Sequence, residues 1–225
     1  MAVSQIGIGG QWLLTASAVG GAVLTLLLIL AIALRLSSPT ALLIIGLMVG
    51  HLTVALVGIW QYFSAPERIK DFLLWTFGSL DGVYGDQLWV LGGTVVIGLL
   101  LSVAVGKSLN VLLLGEEYGK SMGLSLRRAR VGVILATGIL AGGITGFCGP
   151  IAFVGIAVPH LCRNWIRSSD YYRLLPLCIL LGAGILLCCD VIAHLPQSSS
   201  RLPINAVTSL IGSPVVIIAV MRGRW

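Results

Sequence analysis

The stretch Trp12–Leu34, WLLTASAVGGAVLTLLLILAIAL, runs for twenty-three residues without a charged side chain. A helix needs about 20 apolar residues to cross the roughly 30 Å of hydrocarbon in a bilayer, so this stretch is long enough to span one. Working outward, segments of the same character recur at 41–63, 88–106, 131–148, 174–194 and 204–221. A seventh, 149–162, is shorter and is interrupted by Gly149, Pro150, Gly155 and Pro159. Of the 225 residues, 57% are hydrophobic and 10% are charged, and the mean hydropathy is +1.03. Soluble domains carry about 25% charged residues. The solvent of this chain is therefore lipid, and the expected fold is an all-α integral membrane bundle.

The net charge of +6 does not point to nucleic acid, because the cations stand at the ends of the apolar segments. If the segments alternate in direction, one set of connections holds Arg35, Lys107, Lys120, Arg127, Arg128, Arg130, Arg163, Arg167, Arg173, Arg222 and Arg224. The other set holds Arg68, Lys70 and Arg201. By the positive-inside rule the first set is cytoplasmic. Arg130 and Arg163 then lie on the same side, so the chain between them crosses an even number of times. Two short helices turning near Gly149-Pro150 satisfy this, with a re-entrant hairpin as the alternative. The expected topology has about seven spans, with the N-terminus outside and the C-terminus inside. The opening MAVSQIGIGGQW lacks the basic region of a signal peptide, and an outside N-terminus without one leads to the expectation that further spans precede Met1.

Two connections have character of their own. In 64–87, the stretch Glu67–Phe77 sets charges on one side and Ile69, Phe72, Leu73, Trp75 and Phe77 on the other. It predicts a short interfacial helix, either a plain anchor or an element at a pathway mouth. In 107–130, Gly115, Gly119 and Gly123 divide the chain into short pieces carrying Glu116, Glu117 and Lys120 beside Tyr118, Met122 and Leu124. This is either a solvated connector or a pair of small helices presenting an exposed face to a cytoplasmic partner.

Within the spans, Gly138, Gly142 and Gly146 recur at a spacing of four, which puts small residues on one helix face and admits a second backbone closely. Gly212-Ser213-Pro214 can kink or break the last helix, and irregular backbone at membrane depth is tolerated only inside protein or beside a wet cavity. Asp190 lies near the outer end of its span with His194 one turn on. An intramembrane acid is a functional candidate, although snorkelling to the interface explains it equally. His51 reads as a packing residue, and His160 follows Pro159 with no ligand-type residue at metal spacing. Cys148, Cys162, Cys178, Cys188 and Cys189 form no CxxC pair and read as small buried hydrophobes. There is no Walker loop, HExxH or GxSxG, and no lysine inside a span. The expectation is a conduit or a receptor rather than a catalyst, with no metal and no covalently bound cofactor.

The run from Gly146 to Arg163, GFCGPIAFVGIAVPHLCR, resembles the signature of the FecCD-type permeases, the membrane subunits of ABC importers for iron-siderophores, haem and vitamin B12. LLLGEEYGKSMGLSLRRAR resembles the cytoplasmic coupling segment of that family. LLPLCILLGAGILLCCDVIAH resembles its penultimate span and LPINAVTSLIGSPVVIIAVMR its last. The resemblance implies a permease homodimer in a bacterial inner membrane, two cytoplasmic ATPase subunits that bind the ATP, and a periplasmic or lipid-anchored substrate-binding protein. It assigns ATPase docking to Glu116, Glu117, Tyr118, Gly119, Lys120, Ser121, Met122, Gly123 and Leu124. Gly146, Gly149, Pro150, Phe153, Gly155, Pro159, His160, Asn205, Gly212 and Pro214 fall to the pathway and its packing, and Asp190, His194 and Arg201 to docking of the binding protein. Members usually have about ten spans, so this chain corresponds to the last seven. Many carry arginine where this chain has His194, and Arg201 is the alternative source of that charge. The rival readings are a truncated, inactive permease fragment, a seven-span receptor and, least supported, a membrane enzyme.

Overall fold

The computed structural model describes residues 8–36, 39–166, 168–194 and 202–221. Among these residues the chain is helical throughout, with no strand. The order is α1 (Ile8–Arg35), α2 (Pro39–Tyr62), α3 (Pro66–Thr76), α4 (Asp86–Leu112), α5 (Glu116–Ser121), α6 (Leu126–Cys148), α7 (Val154–Ile166), α8 (Tyr171–His194) and α9 (Ile204–Met221). Five of these (α1, α2, α4, α6 and α8) are long and apolar enough to cross a membrane. The thirteen residues of α7 extend only about 20 Å at 1.5 Å per residue, short of a bilayer core. The apolar part of α9, Ile204–Ile217, is also shorter than the five.

The side chains sort by size rather than by polarity. The buried apolar residues are mostly small, among them Ala129, Ala136, Ala157, Cys162, Cys189 and Ala193, while Leu24, Leu43, Leu52, Leu100 and Leu180 point outward. Where lipid surrounds the bundle, apolar area gives no drive for helices to associate, and close backbone approach between small residues takes its place.

That approach organises the bundle into two groups of three helices. In the first, α6 lies between α1 and α4. A Cβ added at Gly142 would stand 2.7 Å from the Cβ of Ala22, one at Gly146 would stand 3.1 Å from Val19, and one at Gly138 would overlap Leu26. The glycine stripe read from spacing is thus the seat of α1. On the α4 side, Gly98 receives Leu140, and Gly143 faces Thr94. In the second group, α7, α8 and α9 meet one another around Val158, Cys162 and Leu174 and around Cys189, Ala193, Ile204 and Val207. Contact between α4 and α8 joins the groups. The helix α2 has none of its span buried and meets α3 through the edge-to-face pair Trp60 and Phe72.

Three local expectations are corrected. Helix α9 runs unbroken through Gly212-Ser213-Pro214. Proline removes one donor from a helix, and the close seat of Phe153 on Gly212, 2.7 Å from a Cβ placed there, holds the helix against its neighbour. The segment expected as a pair of small helices contains one, α5. Helix α6 begins at Leu126, so Arg127, Arg128 and Arg130 belong to its first turns rather than to the preceding loop.

Candidate functional sites at the two ends of the bundle

One end of the bundle carries α5, whose limits are set by glycine. Gly115 (φ 105°) precedes it and Gly123 (φ 80°) follows it, both in backbone regions that side chains disfavour. After α5 the N–H of Leu124 donates to Gly119 O at 2.9 Å and that of Gly123 to Lys120 O at 2.9 Å. These two bonds are the 6→1 and 5→2 pair of a Schellman cap. Gly119 is buried, and Leu124 turns inward to lie 3.3 Å from where its Cβ would be. The outward face therefore consists of Tyr118 and Met122 with Leu113 and Leu114, all exposed. Glu116, Glu117, Lys120 and Ser121 complete the exposed surface of α5.

Arg130 fastens this element to the bundle. Its Nη2 donates to Glu116 Oε1 at 3.0 Å and its Nη1 to Leu36 O, just past α1, at 3.1 Å. One guanidinium thus ties α6, α5 and the end of α1. Beside it, α4 is clamped to the start of α8. Asn110 Nδ2 donates to Asp170 Oδ1 at 2.6 Å, and the N–H of Tyr171 donates to Asn110 Oδ1 at 2.8 Å. The Tyr171 hydroxyl is bonded to Ser102 Oγ, and the Tyr172 hydroxyl donates to Val103 O at 3.3 Å. Both rings close on Gly106 of α4, where a Cβ would stand 2.8 Å from Tyr171 Cδ1. The end of α4, just before α5, is thus fixed to the start of α8.

At the opposite end Asn205, in the first turn of α9, joins three segments. Its Oδ1 accepts from Ala152 N at 2.9 Å. Its Nδ2 donates to Thr76 O at 2.9 Å and to Pro150 O at 2.5 Å, and its main-chain N–H donates to Phe77 O at 3.2 Å. The end of α3, the 149–153 link and α9 are locked together. Gly149 (φ 78°) lies so close to the Trp75 carbonyl and to Gly78 that no side chain fits. Phe153 holds φ 67°, a strained value for an aromatic residue, and seats its ring base on Gly212.

His194 closes the same end. Its Nδ1 lies 2.7 Å from Asp190 O and its Nε2 lies 3.3 Å from Asp81 Oδ2, so it links α8 to the loop after α3. Arg201 lies outside the described residues. Gly155 has open space where a Cβ would stand, His160 is half-buried at the middle of α7, and His51 is exposed on α2. Between α7, α8 and α9 a pocket of about 40 Å³ is lined by Ala157, Thr208 and Gly212 among others. Among the described residues, no three His, Cys, Asp or Glu side chains are placed to hold a metal.

The sequence reading passed over Arg130, Asn110, Asp170, Tyr171 and Asp81 as site residues. Arg130 had a signal, an arginine within reach of the acidic pair at 116–117. The others are joined by tertiary contact alone.

Comparison with known proteins fits this geometry. The chain is 35% identical over 214 residues to the vitamin B12 import system permease protein BtuC of Klebsiella pneumoniae, covering 95% of this chain and 64% of that protein. It is 39% identical over 212 residues to BtuC of Vibrio cholerae, covering 93% and 63%. The chain thus spans just under two thirds of the length of these relatives. Among solved structures, an inward-facing conformation of a metal-chelate type ABC transporter, itself described as putative, superposes with a TM-score of 0.75 and 28% identity over 92% of this chain and 73% of that one. These relatives are transport proteins, not enzymes. The FecCD transport family matches residues 1–222, and with the glycine-set α5 and the Gly149-Pro150 link in place, the chain belongs to that family.

Proposed function

We propose that this chain is the membrane-spanning permease part of an ATP-driven importer in a bacterial inner membrane. It works as a homodimer above two cytoplasmic ATPase subunits and below a substrate-binding protein. The cargo is cobalamin or a chelated iron such as a siderophore or haem. The reading takes residues 1–225 as one transmembrane domain crossing seven times, with its N-terminus outside and its C-terminus inside. Helix α6 makes one crossing, the 149–153 link together with α7 makes the return crossing, and α9 makes the last. The 107–130 segment is the coupling element. ATP is held by the partner subunits.

The observation that carries this reading is α5. A six-residue helix bounded by two left-handed glycines, stapled by Arg130 and carrying Tyr118 and Met122 outward has the form of a knob for a partner. Closure of the ATPase pair then pushes α5, and the α4–α8 clamp passes the displacement into the spans. Asp190 and His194 at the opposite end are assigned to docking of the binding protein, as is Arg201 by its place in the sequence. The 149–153 link, Asn205, Gly212 and Pro214 are assigned to the pathway and its gate.

The test is co-purification with the cognate ATPase. Tyr118→Glu with Met122→Glu is expected to lower recovery of the ATPase at least tenfold, while Leu43→Glu on α2 leaves it unchanged. Undiminished recovery from the α5 variant overturns the coupling assignment. Uptake of labelled cobalamin and of ferric siderophores by cells carrying the complete system then decides the cargo.

A further inference from the structure

Between α5, the end of α1 and the start of α6 lies a pocket of about 250 Å³. Its rim carries Lys120, Arg127 and Arg130 against a single carboxylate, Glu116. Arg130 and Glu116 are bound to each other, whereas Lys120 and Arg127 have no ion-pair partner among the described residues. Its apolar wall includes Leu34 at the end of α1 and Val131 and Ile134 of α6. Cationic and apolar side chains thus line one pocket where two apolar spans end.

The geometry points to a binding site for the phosphate headgroup of an anionic phospholipid, with its acyl chains laid along α1 and α6. Charge selects the ligand, because three cations against one carboxylate leave an excess of positive charge for a phosphodiester to neutralise. Basic pockets between membrane helices attract anionic headgroups in this way. The apolar wall selects a lipid over a soluble anion. A free phosphate meets only the cations and leaves Leu34, Val131 and Ile134 uncovered, whereas a lipid covers both. The site includes two residues of α5, so a bound headgroup holds the knob against α1 and α6. The assignment concerns the pocket itself and stands whether or not α5 docks an ATPase.

The experiment is lipid titration of the purified full chain, read by native mass spectrometry, with dioleoyl-phosphatidylglycerol against dioleoyl-phosphatidylcholine. Phosphatidylglycerol is expected to bind at least tenfold more tightly. Each Lys or Arg near a membrane surface contributes about fivefold to such attraction, so Lys120→Gln and Arg127→Gln should each lose about fivefold and the double variant about thirtyfold. Lys120→Arg with Arg127→Lys keeps the charge and should keep the binding, which separates charge from folding. Lys107→Gln and Arg163→Gln, exposed cations at the same end, should change it by less than twofold. The proposal is overturned if the two lipids bind alike, or if the Lys107 and Arg163 variants lose as much as the pocket variants. Glycerol phosphate displacing the lipid at equal concentration also overturns it, because the ligand is then a soluble anion.

Discussion

Replacing Asn205 by alanine removes three hydrogen bonds at once, to Ala152 N, Thr76 O and Pro150 O. A side-chain hydrogen bond contributes about 0.5–1.5 kcal/mol net, and interhelical bonds in membrane proteins average about 0.6. Ala152 is exposed, so water can reclaim its N–H, which places the total near the lower sum, about 2 kcal/mol. That corresponds to roughly thirtyfold in the folding equilibrium. Asn205→Asp separates the two halves of the site. The carboxylate keeps the acceptor for Ala152 N but, at neutral pH, sets an anion against two carbonyl oxygens, so it should be less stable than Asn205→Ala. Asn205→Leu fills the space without the bonds and should match alanine to within about 1 kcal/mol. The assay is unfolding of the purified chain in mixed micelles, followed by helical circular dichroism. Hydrogen exchange gives the local readout: faster exchange at Ala152 and Asn205, none within α4 and α6. Asn205→Ala within about 0.5 kcal/mol of the parent, or Asn205→Asp more stable than Asn205→Ala, refutes the view that this side chain locks α3, the 149–153 link and α9 together.

Gly142→Ala places a methyl 2.7 Å from Ala22 Cβ and should destabilise by about 1–3 kcal/mol through overpacking; adding Ala22→Gly should recover at least half, measured by the same unfolding. Gly149→Ala meets both a positive φ and the Trp75 carbonyl, so it should cost more than Gly142→Ala, with no rescue from trimming a neighbouring side chain. Tyr171→Phe removes only the bond to Ser102 and should cost about 1 kcal/mol. Asn110→Ala breaks two bonds at the same clamp and should cost about twice that; in the assembled importer both should lower the transport obtained per ATP hydrolysed. The Glu116–Arg130 pair is partly exposed, with 26% and 43% of the arginine and glutamate side chains accessible. A double-mutant cycle with Glu116→Gln and Arg130→Gln should therefore give a coupling of no more than about 1 kcal/mol, and a larger value would mean that the pair is shielded by a bound molecule.

The long helices were legible because lipid makes length and apolarity decisive: α1, α2, α4, α6 and α8 each announce themselves by an uninterrupted run. The glycine stripe of α6 was legible for a related reason. With no solvent to drive burial, small side chains at one spacing are the signal for association, and Leu26, Ala22 and Val19 fill the places that spacing left open. The boundaries were less legible because long cations obscure them. Arg127, Arg128 and Arg130 look like a loop in sequence, yet they fall in the first turns of α6, and the head of Arg130 turns back to Glu116 and Leu36. What the sequence hid are the pairings across the fold. Asn110 and Asp170, or Asn205 and Thr76, share no periodicity and no common motif, and each looks like an isolated polar residue near the end of an apolar run. Near hydrocarbon an isolated amide has few partners, since a backbone carbonyl left exposed by a helix end is among the few groups able to satisfy it. That constraint turns a lone asparagine at the end of a span into a locator of helix termini. Asn205 meets the end of α3 and the link after α6 because the Thr76 and Pro150 carbonyls are the acceptors within its reach. Asn110, two residues before the end of α4, extends the rule to the free N–H groups at a helix start, because its Oδ1 accepts from the N–H of Tyr171, the first residue of α8.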